Sequence, residues 1–228
     1  MVLTTQWEFT NSISDTSLFF KRTQGHLLLI LVYVDDIIIA GSNSQLVQQI
    51  ITNFQSTFAL KDLGALNYFM GVQVLYNKIG VHLSQSKYIT DLLENVLMQD
   101  NTLCFTLMVS REAFTKADSE HFLDVTLYRS TIGALQYAIL TRPEIAFSVN
   151  KLSQFFSSPI VNHWQACKRV LQYLKGTLNL GLQFYNHGSI QINCFSDADW
   201  AKDRDNRGSV ASYCVYICSN LVSWCSKK

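Results

Sequence analysis

Two adjacent aspartates, Asp35 and Asp36, interrupt a long apolar stretch near the N-terminus. Apolar residues fill 27–34 before the pair and 37–40 after it. An unpaired carboxylate in apolar surroundings is costly, and two adjacent carboxylates also repel each other. Because successive residues of a strand point to opposite faces, a tight turn is the natural way to present both acids at one edge. The pattern predicts two strands, 27–34 and 37–40, with the acids in the turn between them.

Chemistry alone leaves two interpretations of this acidic pair open. Cations bound by both carboxylates would offset their repulsion, which indicates a metal site, whereas Asp is also common in ordinary hairpin turns. A membrane helix is excluded because the apolar stretch is too short and is interrupted by charge. The run Gly41-Ser42-Asn43-Ser44 is expected to end the second strand.

Hydrophobic periodicity and turn residues predict the remaining elements. Residues 99–125 show no clean periodicity and are interpreted as a loop or linker. The predicted helices are 45–58, 87–96, 127–140, 143–156 and one that begins at Pro159 or Asn162 and runs to Lys175. The predicted strands are 66–75 and 81–84, which form a hairpin, followed by 179–185, 190–196, 209–217 and 220–224, which begin a mixed sheet.

Composition favours a folded piece of a larger protein. Hydrophobic residues make up 48% of the chain and charged residues only 15%, so part of the surface is expected to face missing neighbours. The net charge is +1, yet residues 145–196 contain no Asp or Glu. That stretch has a charge of +4 with interleaved aromatic residues, which suits a phosphate backbone. Its cations are Lys151, Lys168, Arg169 and Lys175.

The six cysteines form no CxxC pair and no zinc-finger spacing with histidine. We therefore expect reduced, mostly buried thiols and an intracellular protein. The N-terminal residues lack the basic and apolar segments of a cleavable signal.

Around the acidic pair, a series of further phrases resembles the Pol polyprotein of copia-type LTR retrotransposons, and the match covers roughly residues 14–228. Plant genomes and plant mitochondrial DNA carry many similar open reading frames. One phrase alone would be weak, whereas eight in the expected order make coincidence very improbable. Besides Tyr33-Val34-Asp35-Asp36, the phrases include Phe58-Ala59-Leu60-Lys61-Asp62-Leu63-Gly64, Tyr68-Phe69-Met70-Gly71-Val72, Leu83-Ser84-Gln85-Ser86-Lys87-Tyr88, Ile132-Gly133-Ala134-Leu135-Gln136-Tyr137, Thr141-Arg142-Pro143-Glu144, Leu174-Lys175-Gly176-Thr177, Ser196-Asp197-Ala198-Asp199-Trp200 and Ser223-Trp224-Cys225-Ser226-Lys227-Lys228.

The resemblance implies an α+β fold in several parts. These are a partial polymerase palm of antiparallel hairpins plus helices, a helical thumb and connection bundle, and the first strands of an RNase H-like mixed sheet. The expected boundaries are 1–98 for the palm remnant, 99–125 for a linker, 126–178 for thumb and connection, and 179–228 for a truncated RNase H-like domain.

The same resemblance assigns roles around the acidic pair. Asp35 would be the stronger ligand, and Asp36 the supporting one, of two Mg²⁺ ions about 3.5–4 Å apart that activate the primer 3′-hydroxyl and stabilise the leaving pyrophosphate. Hard oxygen ligands suit Mg²⁺. Tyr33 would lie near the primer terminus and Lys61 near the nucleoside triphosphate. Lys61 fits equally well as a solvated residue before the turn at 62–64.

Further residues would contact nucleic acid in the intact enzyme. Phe69, Met70 and Gly71 match the primer-grip hairpin, the alternative being a plain strand with a buried Phe. Three cations on the last helix would grip the template–primer duplex, the alternative being a solvated helix face. They are Lys168, Arg169 and Lys175.

Asp197 resembles the first metal-binding acid of RNase H, which also cleaves its substrate with Mg²⁺. The alternative is a solvated acidic turn that includes Asp199, Asp203 and Asp205. The resemblance calls for more acids than the chain carries: a third polymerase aspartate in an upstream Asp-Val-x-x-Ala-Phe-Leu phrase, and a later RNase H glutamate. Only Glu8 and Asp15 precede the pair. We expect the polypeptide alone to be inactive.

Three hypotheses about function follow. The chain is a reverse transcriptase fragment with the start of RNase H, catalytic only within the longer polyprotein; or it is a non-catalytic nucleic-acid-binding module; or it is a functionless transposon relic. The first implies RNA or DNA template–primer, dNTPs and the rest of Pol as partners, with no membrane. An active element would place it in a cytoplasmic particle or the nucleus.

Overall fold

Antiparallel hairpins supply the sheets of this α+β chain, and six α-helices accompany them in the described residues. The computed structural model describes residues 2–108, 120–186, 190–199 and 208–227. The chain divides into two units, Met1–Leu66 and Asn67–Lys228.

The first unit is a four-stranded antiparallel sheet in the order β1-β2-β3-β4. Alternate residues of β3 face the core of this unit: Leu28 and Ile30 are buried against Phe54 of the helix that follows the sheet. That helix begins where the Asn43 side chain accepts hydrogen bonds from two backbone N–H groups of its first turn. The elements are α1 (Val2–Thr5), β1 (Thr10–Asn11), β2 (Leu18–Thr23), β3 (His26–Tyr33), β4 (Asp36–Gly41) and α2 (Ser44–Thr57).

The second unit contains a four-stranded antiparallel sheet in the order β5-β6-β7-β8. Gly80 begins β7 at φ +148°, and a Cβ there would lie 1.9 Å from the carbonyl oxygen of Phe184, so only glycine lets β8 approach. The strands are β5 (Tyr68–Phe69), β6 (Val72–Asn77), β7 (Gly80–Ser84) and β8 (Leu182–Tyr185).

A helical core fills the same unit. Ile89, Ile132, Val149 and Leu171 are fully buried and come from four different helices. Pro143 opens a short 3-10 helix, Pro143–Ile145, that leads directly into the third of them. The four are α3 (Ser86–Asn95), α4 (Val125–Ala138), α5 (Ala146–Ser153) and α6 (Val161–Gly176).

The last three strands form a separate antiparallel sheet in the order β11-β10-β9. β9 is exposed along nearly its whole length, and Phe195 on it is 62% exposed. Large exposed apolar side chains of this kind are typical of surfaces that contact other molecules. The strands are β9 (Ile192–Asp199), β10 (Val210–Ile217) and β11 (Asn220–Lys227).

The sequence predicted most of these elements but not α1, β1 or β2, and the predicted strands differ from the structure in three further respects. The predicted strand 66–75 is two strands, because positive φ angles at Met70 and Gly71 turn the chain between β5 and β6. The strand predicted at 179–185 is present as β8, but it pairs with β7 instead of joining the later strands. Those later strands pair only antiparallel within the described residues, so the mixed character expected of the sheet is not observed there.

The expectation of mostly buried thiols was wrong. Cys167 is buried, whereas Cys194 is exposed and the other four cysteines are intermediate. The physical reason is location, because four of the six cysteines lie on or beside the open C-terminal sheet. Burial raises the pKa of the Cys167 thiol to about 12, so that group stays neutral in the core.

A buried polar network connects three segments of the second unit. The Arg142 guanidinium is 0% exposed, and it donates hydrogen bonds to the Glu144 carboxylate (2.7 Å) and to the Thr177 backbone carbonyl (3.0 Å). Beside it, Thr141 Oγ1 donates to the Gln85 side-chain carbonyl (2.9 Å). These bonds join the start of α3, the end of α4 and the end of α6, three segments that are far apart in sequence.

Removing the guanidinium should destabilise the second unit strongly. We expect Arg142→Ala to lower the free energy of unfolding by about 3 kcal/mol or more, because it leaves Glu144 and the Thr177 carbonyl without their buried partner. Arg129→Ala is the matched control: its exposed side chain also donates to a backbone carbonyl, that of Phe156. We expect it to cost about 1 kcal/mol or less. Urea unfolding followed by circular dichroism measures both; equal losses would contradict the account.

Candidate catalytic hairpin and nucleic-acid surfaces

The acidic pair lies at the tip of a hairpin whose turn has two residues. Tyr33 pairs with Asp36 across the sheet, so Val34 and Asp35 form the turn and Asp36 is already the first residue of β4. The prediction that both acids lie in the turn therefore holds for Asp35 alone. Because paired residues share a face, Asp36 projects on the same side of the sheet as Tyr33. Both carboxylates are exposed to solvent.

The turn forces an unusual backbone conformation on a β-branched residue. Val34 has φ +48° and is 82% exposed. Two-residue hairpin turns need a positive φ at their first central position, which normally selects glycine. A β-branched residue there is strained, and such strain persists only where the surrounding structure enforces it. The β3–β4 ladder and the core beneath it supply that enforcement.

The other acids that precede the hairpin are engaged locally. Asp15 accepts a hydrogen bond from the backbone N–H of Ser17 (2.9 Å), and Glu8 forms a salt bridge with Lys21 (3.2 Å). Neither is paired with the hairpin aspartates in the observed contacts. Within the described ranges no group of three His, Cys, Asp or Glu side chains is arranged to hold a metal. Asp35 and Asp36 are thus a pair of hard oxygen donors, not a complete set of ligands.

Lys61 lies in the irregular segment after α2 and is exposed. The next residue, Asp62, accepts a hydrogen bond from the backbone N–H of Gly64 (2.8 Å), which makes the turn predicted at 62–64. Both the nucleotide-binding and the solvated interpretation of Lys61 are compatible with this position.

Phe69, Met70 and Gly71 lie in the second unit, at a tight hairpin between β5 and β6. Phe69 pairs with Val72, and the two turn residues both have positive φ, 46° for Met70 and 73° for Gly71. Two successive positive values are typical of a type I′ hairpin turn. The chain therefore turns at Met70 and Gly71 and does not continue as one strand, and Phe69 is half-buried. Met70 is 42% exposed at the tip.

The three cations of α6 are not equivalent. Arg169 donates hydrogen bonds to the carbonyl (3.1 Å) and the hydroxyl of Thr106, and Lys175 donates to the carbonyl of Asn101 (2.7 Å). These two side chains fasten the loop after α3 to the helix. Lys168 is half-buried, and no hydrogen bond of this kind joins its side chain to another of the described residues.

Asp197 and Asp199 lie on β9, two residues apart and therefore on one face of the C-terminal sheet. Asp197 pairs with Ser212 and is exposed. The alternative of a solvated acidic turn is thus wrong about the turn at these two residues, which are in a strand, while Asp197 is solvent-exposed. Asp203 and Asp205 lie outside the described residues.

Tyr88, Tyr137 and Arg142 lie in the family phrases, and the sequence alone gives them no role. Tyr137 Oη donates a hydrogen bond to the Met70 carbonyl, 67 positions away in sequence, and its ring packs against Tyr88. Arg142 is the buried guanidinium described above. Their motif membership was the only signal in the sequence, because periodicity cannot show which distant turn or carbonyl a helical side chain meets.

Comparison with known proteins agrees with the family resemblance of the sequence motifs. The family model for reverse transcriptase (RNA-dependent DNA polymerase) matches residues 2–110. The chain is 40% identical over 220 residues to the Retrovirus-related Pol polyprotein from transposon RE1 of Arabidopsis thaliana, covering 96% of this chain and 15% of that protein. It is 32% identical over 229 residues to the Retrovirus-related Pol polyprotein from transposon TNT 1-94 of Nicotiana tabacum.

A shorter relative matches along most of its length. An uncharacterized mitochondrial protein of Arabidopsis thaliana is 35% identical over 201 residues, which cover 88% of this chain and 83% of that protein. The chain spans 15% of the Pol polyproteins from transposons RE1 and RE2 and 17% of that from transposon TNT 1-94. No solved structure matches it. Among the described residues no helix is long and apolar enough to cross a membrane.

Relieving the strain at the hairpin tip should stabilise the first unit. We expect Val34→Gly to raise its free energy of unfolding by about 1 kcal/mol, because glycine adopts a positive φ without steric cost. Val32→Gly is the control two residues earlier in β3, where φ is ordinary and the side chain packs on the core. It should lose about 2 kcal/mol. Denaturant unfolding measures both, and destabilisation by Val34→Gly would contradict the strained turn.

Proposed function

The chain belongs to the family of copia-type retrotransposon Pol polyproteins and carries a reverse transcriptase-like domain; from this premise we propose that Asp35 and Asp36 hold catalytic Mg²⁺ for RNA-directed DNA synthesis within the longer polyprotein. The observation that carries the proposal is the hairpin itself. It presents two adjacent carboxylates to solvent at the tip of an apolar sheet, beside Tyr33 on the same face.

The donor chemistry of the tip fits a divalent cation of the Mg²⁺ type. Carboxylate oxygens are hard ligands, and Mg²⁺ is usually held by one or two protein carboxylates together with water and substrate phosphates. When bound, the metal pair would activate the primer hydroxyl and neutralise charge on the phosphates. Asp35, at the turn, and Asp36, at the first strand position, are the protein ligands in this proposal. A polypeptide of these 228 residues has two of the three acids that the family resemblance calls for, so we expect it to be inactive alone.

Other described residues would bind the substrates. Tyr33 shares a face with Asp36 and would lie against the primer terminus, while Lys61 would pair with the triphosphate of a dNTP. Phe69, Met70 and Gly71 form a tight hairpin tip, which suits a backbone-lined contact to a primer strand. Template–primer and the remaining parts of Pol are the partners that this proposal requires.

We also propose that the C-terminal sheet is the start of an RNase H domain with Asp197 as its first metal-binding acid. The support is the position of Asp197 on β9, exposed and on the same face as Asp199. The further acids of such a site would come from sequence outside this chain, so we expect no nuclease activity from it alone.

A chimera tests the polymerase proposal directly. This chain replaces the aligned 220-residue segment of the RE1 polyprotein, and primer extension on an RNA template is measured with Mg²⁺, the unmodified RE1 polyprotein giving the reference rate. We expect Asp35→Asn and Asp36→Asn each to reduce extension about 100-fold or more, because a lost metal contact removes several kcal/mol of transition-state stabilisation.

Asp62→Asn is the matched control, since it removes the same charge in the same unit, and an amide oxygen can still accept the Gly64 hydrogen bond. It should keep the wild-type rate. An active chimera in which Asp35→Asn or Asp36→Asn has no effect would refute the metal-ligand role. Mg²⁺-dependent extension by the 228-residue chain alone, lost in Asp35→Asn, would refute its expected inactivity.

The charge distribution supports a second function, nucleic-acid binding by the α6 region. Because Arg169 and Lys175 hold the loop after α3, we expect Lys168 to supply the phosphate contact. Lys168→Ala should weaken binding of the chain to a primer–template duplex and reduce the slope of log affinity against log salt by about 1. Lys78→Ala, the same charge change at the exposed β6–β7 turn, should leave that slope unchanged. Fluorescence anisotropy at several salt concentrations measures both; binding without salt dependence would contradict phosphate contacts.

A further inference from the structure

The turn between β5 and β6 rests on a pair of tyrosine rings. Tyr137 of α4 donates a hydrogen bond from its hydroxyl to the backbone carbonyl of Met70, the first turn residue. Its ring meets that of Tyr88 of α3 edge to face, with centroids 5.0 Å apart. Tyr88 in turn donates from its hydroxyl to the carbonyl of Ala134 in α4 (3.1 Å). The turn, α3 and α4 are therefore linked by two hydroxyl–carbonyl bonds and one ring contact.

Gly71 makes the close approach possible. A Cβ at this position would lie 3.3 Å from Cε1 of Tyr137 and 3.8 Å from Cδ2 of Tyr88, so the backbone of the turn lies directly against the rings. The same residue has φ +73°, which a side chain would also disfavour. A glycine here serves both the turn geometry and the contact with the tyrosines.

The tyrosines are carried by the best-buried part of the unit. Ile89 follows Tyr88 in α3, and in α4 Leu135 lies two residues before Tyr137 and Ala138 directly after it; all three are fully buried in the helical core. Burial, with a smaller contribution from Tyr137, raises the pKa of Tyr88, so its hydroxyl remains a donor across the neutral range. The support for the turn is thus fixed to a rigid core, whereas the turn itself has an exposed tip.

A second contact braces the same hairpin. The Gln73 side-chain carbonyl accepts a hydrogen bond from the backbone N–H of Lys87 in the first turn of α3 (3.1 Å). Gln73 lies opposite Tyr68 in the β5–β6 ladder. The hairpin is therefore attached to α3 through its strand and to α4 through its turn.

We propose that Tyr137, supported by Tyr88, is a positioning residue for primer binding: its hydroxyl fixes the Met70-Gly71 turn in the conformation that receives the primer strand. This inference rests on the proposed polymerase function and deepens it, because it names the residues that hold the primer-contacting turn. Tyr137 does not touch the substrate in this proposal. It acts through the Met70 carbonyl, whose orientation sets that of the turn.

The first arm of the test uses the 228-residue chain. Tyr137→Phe keeps the ring contacts and removes only the hydroxyl that bonds Met70. Amide hydrogen exchange at 70–73 should accelerate about tenfold or more, while exchange in the helical core stays unchanged. Tyr128→Phe is the matched control, because Tyr128 is also on α4 and its hydroxyl also donates to a backbone carbonyl, that of Leu152 (2.8 Å). It should leave exchange at 70–73 at the wild-type rate relative to the core.

The second arm uses the RE1 chimera. Tyr137→Phe should raise KM for primer–template about tenfold with little change in kcat at saturation, as expected for one lost hydrogen bond in a binding element. Tyr128→Phe should change neither parameter beyond its effect on stability. Unchanged exchange at 70–73, or an unchanged KM in an active chimera, would overturn the positioning role while leaving the polymerase proposal intact. A chimera that fails to extend any primer would overturn the polymerase proposal and, with it, the primer role of Tyr137.

Discussion

A fully buried guanidinium, that of Arg142, determines how the second unit is assembled. It bonds the Glu144 carboxylate and the end of α6 at Thr177, and the adjacent Thr141 bonds Gln85 at the start of α3. A buried charge is tolerated only when it is paired and hydrogen-bonded, so these segments must meet in one arrangement. The apolar stripes of the four helices supply most of the burial, whereas this polar network specifies which helix ends come together.

The two units carry different parts of the proposed function and depend on different interactions. In the second unit, the helical core supports the tyrosines, and the tyrosines support the turn at Met70 and Gly71. In the first unit, the aspartate hairpin depends on the β3–β4 ladder and on the packing of β3 against Phe54. Strain at Val34 is maintained by that packing. The aspartate hairpin and the Met70-Gly71 turn are thus both exposed hairpin tips backed by a buried core.

Several features of fold and site could be predicted from the sequence, and for physical reasons others could not. Alternating and helical periodicities located the strands around Asp35 and Asp36 and all five helices from 45 onward, because burial of one face leaves a one-dimensional signal. Pairing between strands that are far apart in the chain leaves no such signal in the sequence. The pairing of β8 with β7 depends on Gly80. The turn at Met70 needs a positive φ, which a methionine in the sequence does not predict.

The same limit applies to the candidate site. The acidic pair could be predicted because two charges in an apolar run are conspicuous, and the motif around it resembles a known family. By contrast, two other features depend on contacts between residues that are far apart in sequence. Arg169 and Lys175 bind the loop after α3, and Tyr137 supports the Met70 turn. The number of cations in this basic stretch therefore exceeds the number that we expect to bind phosphate.

The proposed polymerase role requires the hairpin tip to bind a divalent cation through Asp35 and Asp36. Paramagnetic broadening of backbone NMR signals by substoichiometric Mn²⁺, a substitute for Mg²⁺, tests it most directly in the chain itself. We expect broadening centred on residues 33–37 in the wild-type chain and its loss in the Asp35→Asn/Asp36→Asn double variant, whereas Asp62→Asn should give the wild-type pattern. Broadening centred elsewhere, or equal in the double variant, would contradict it.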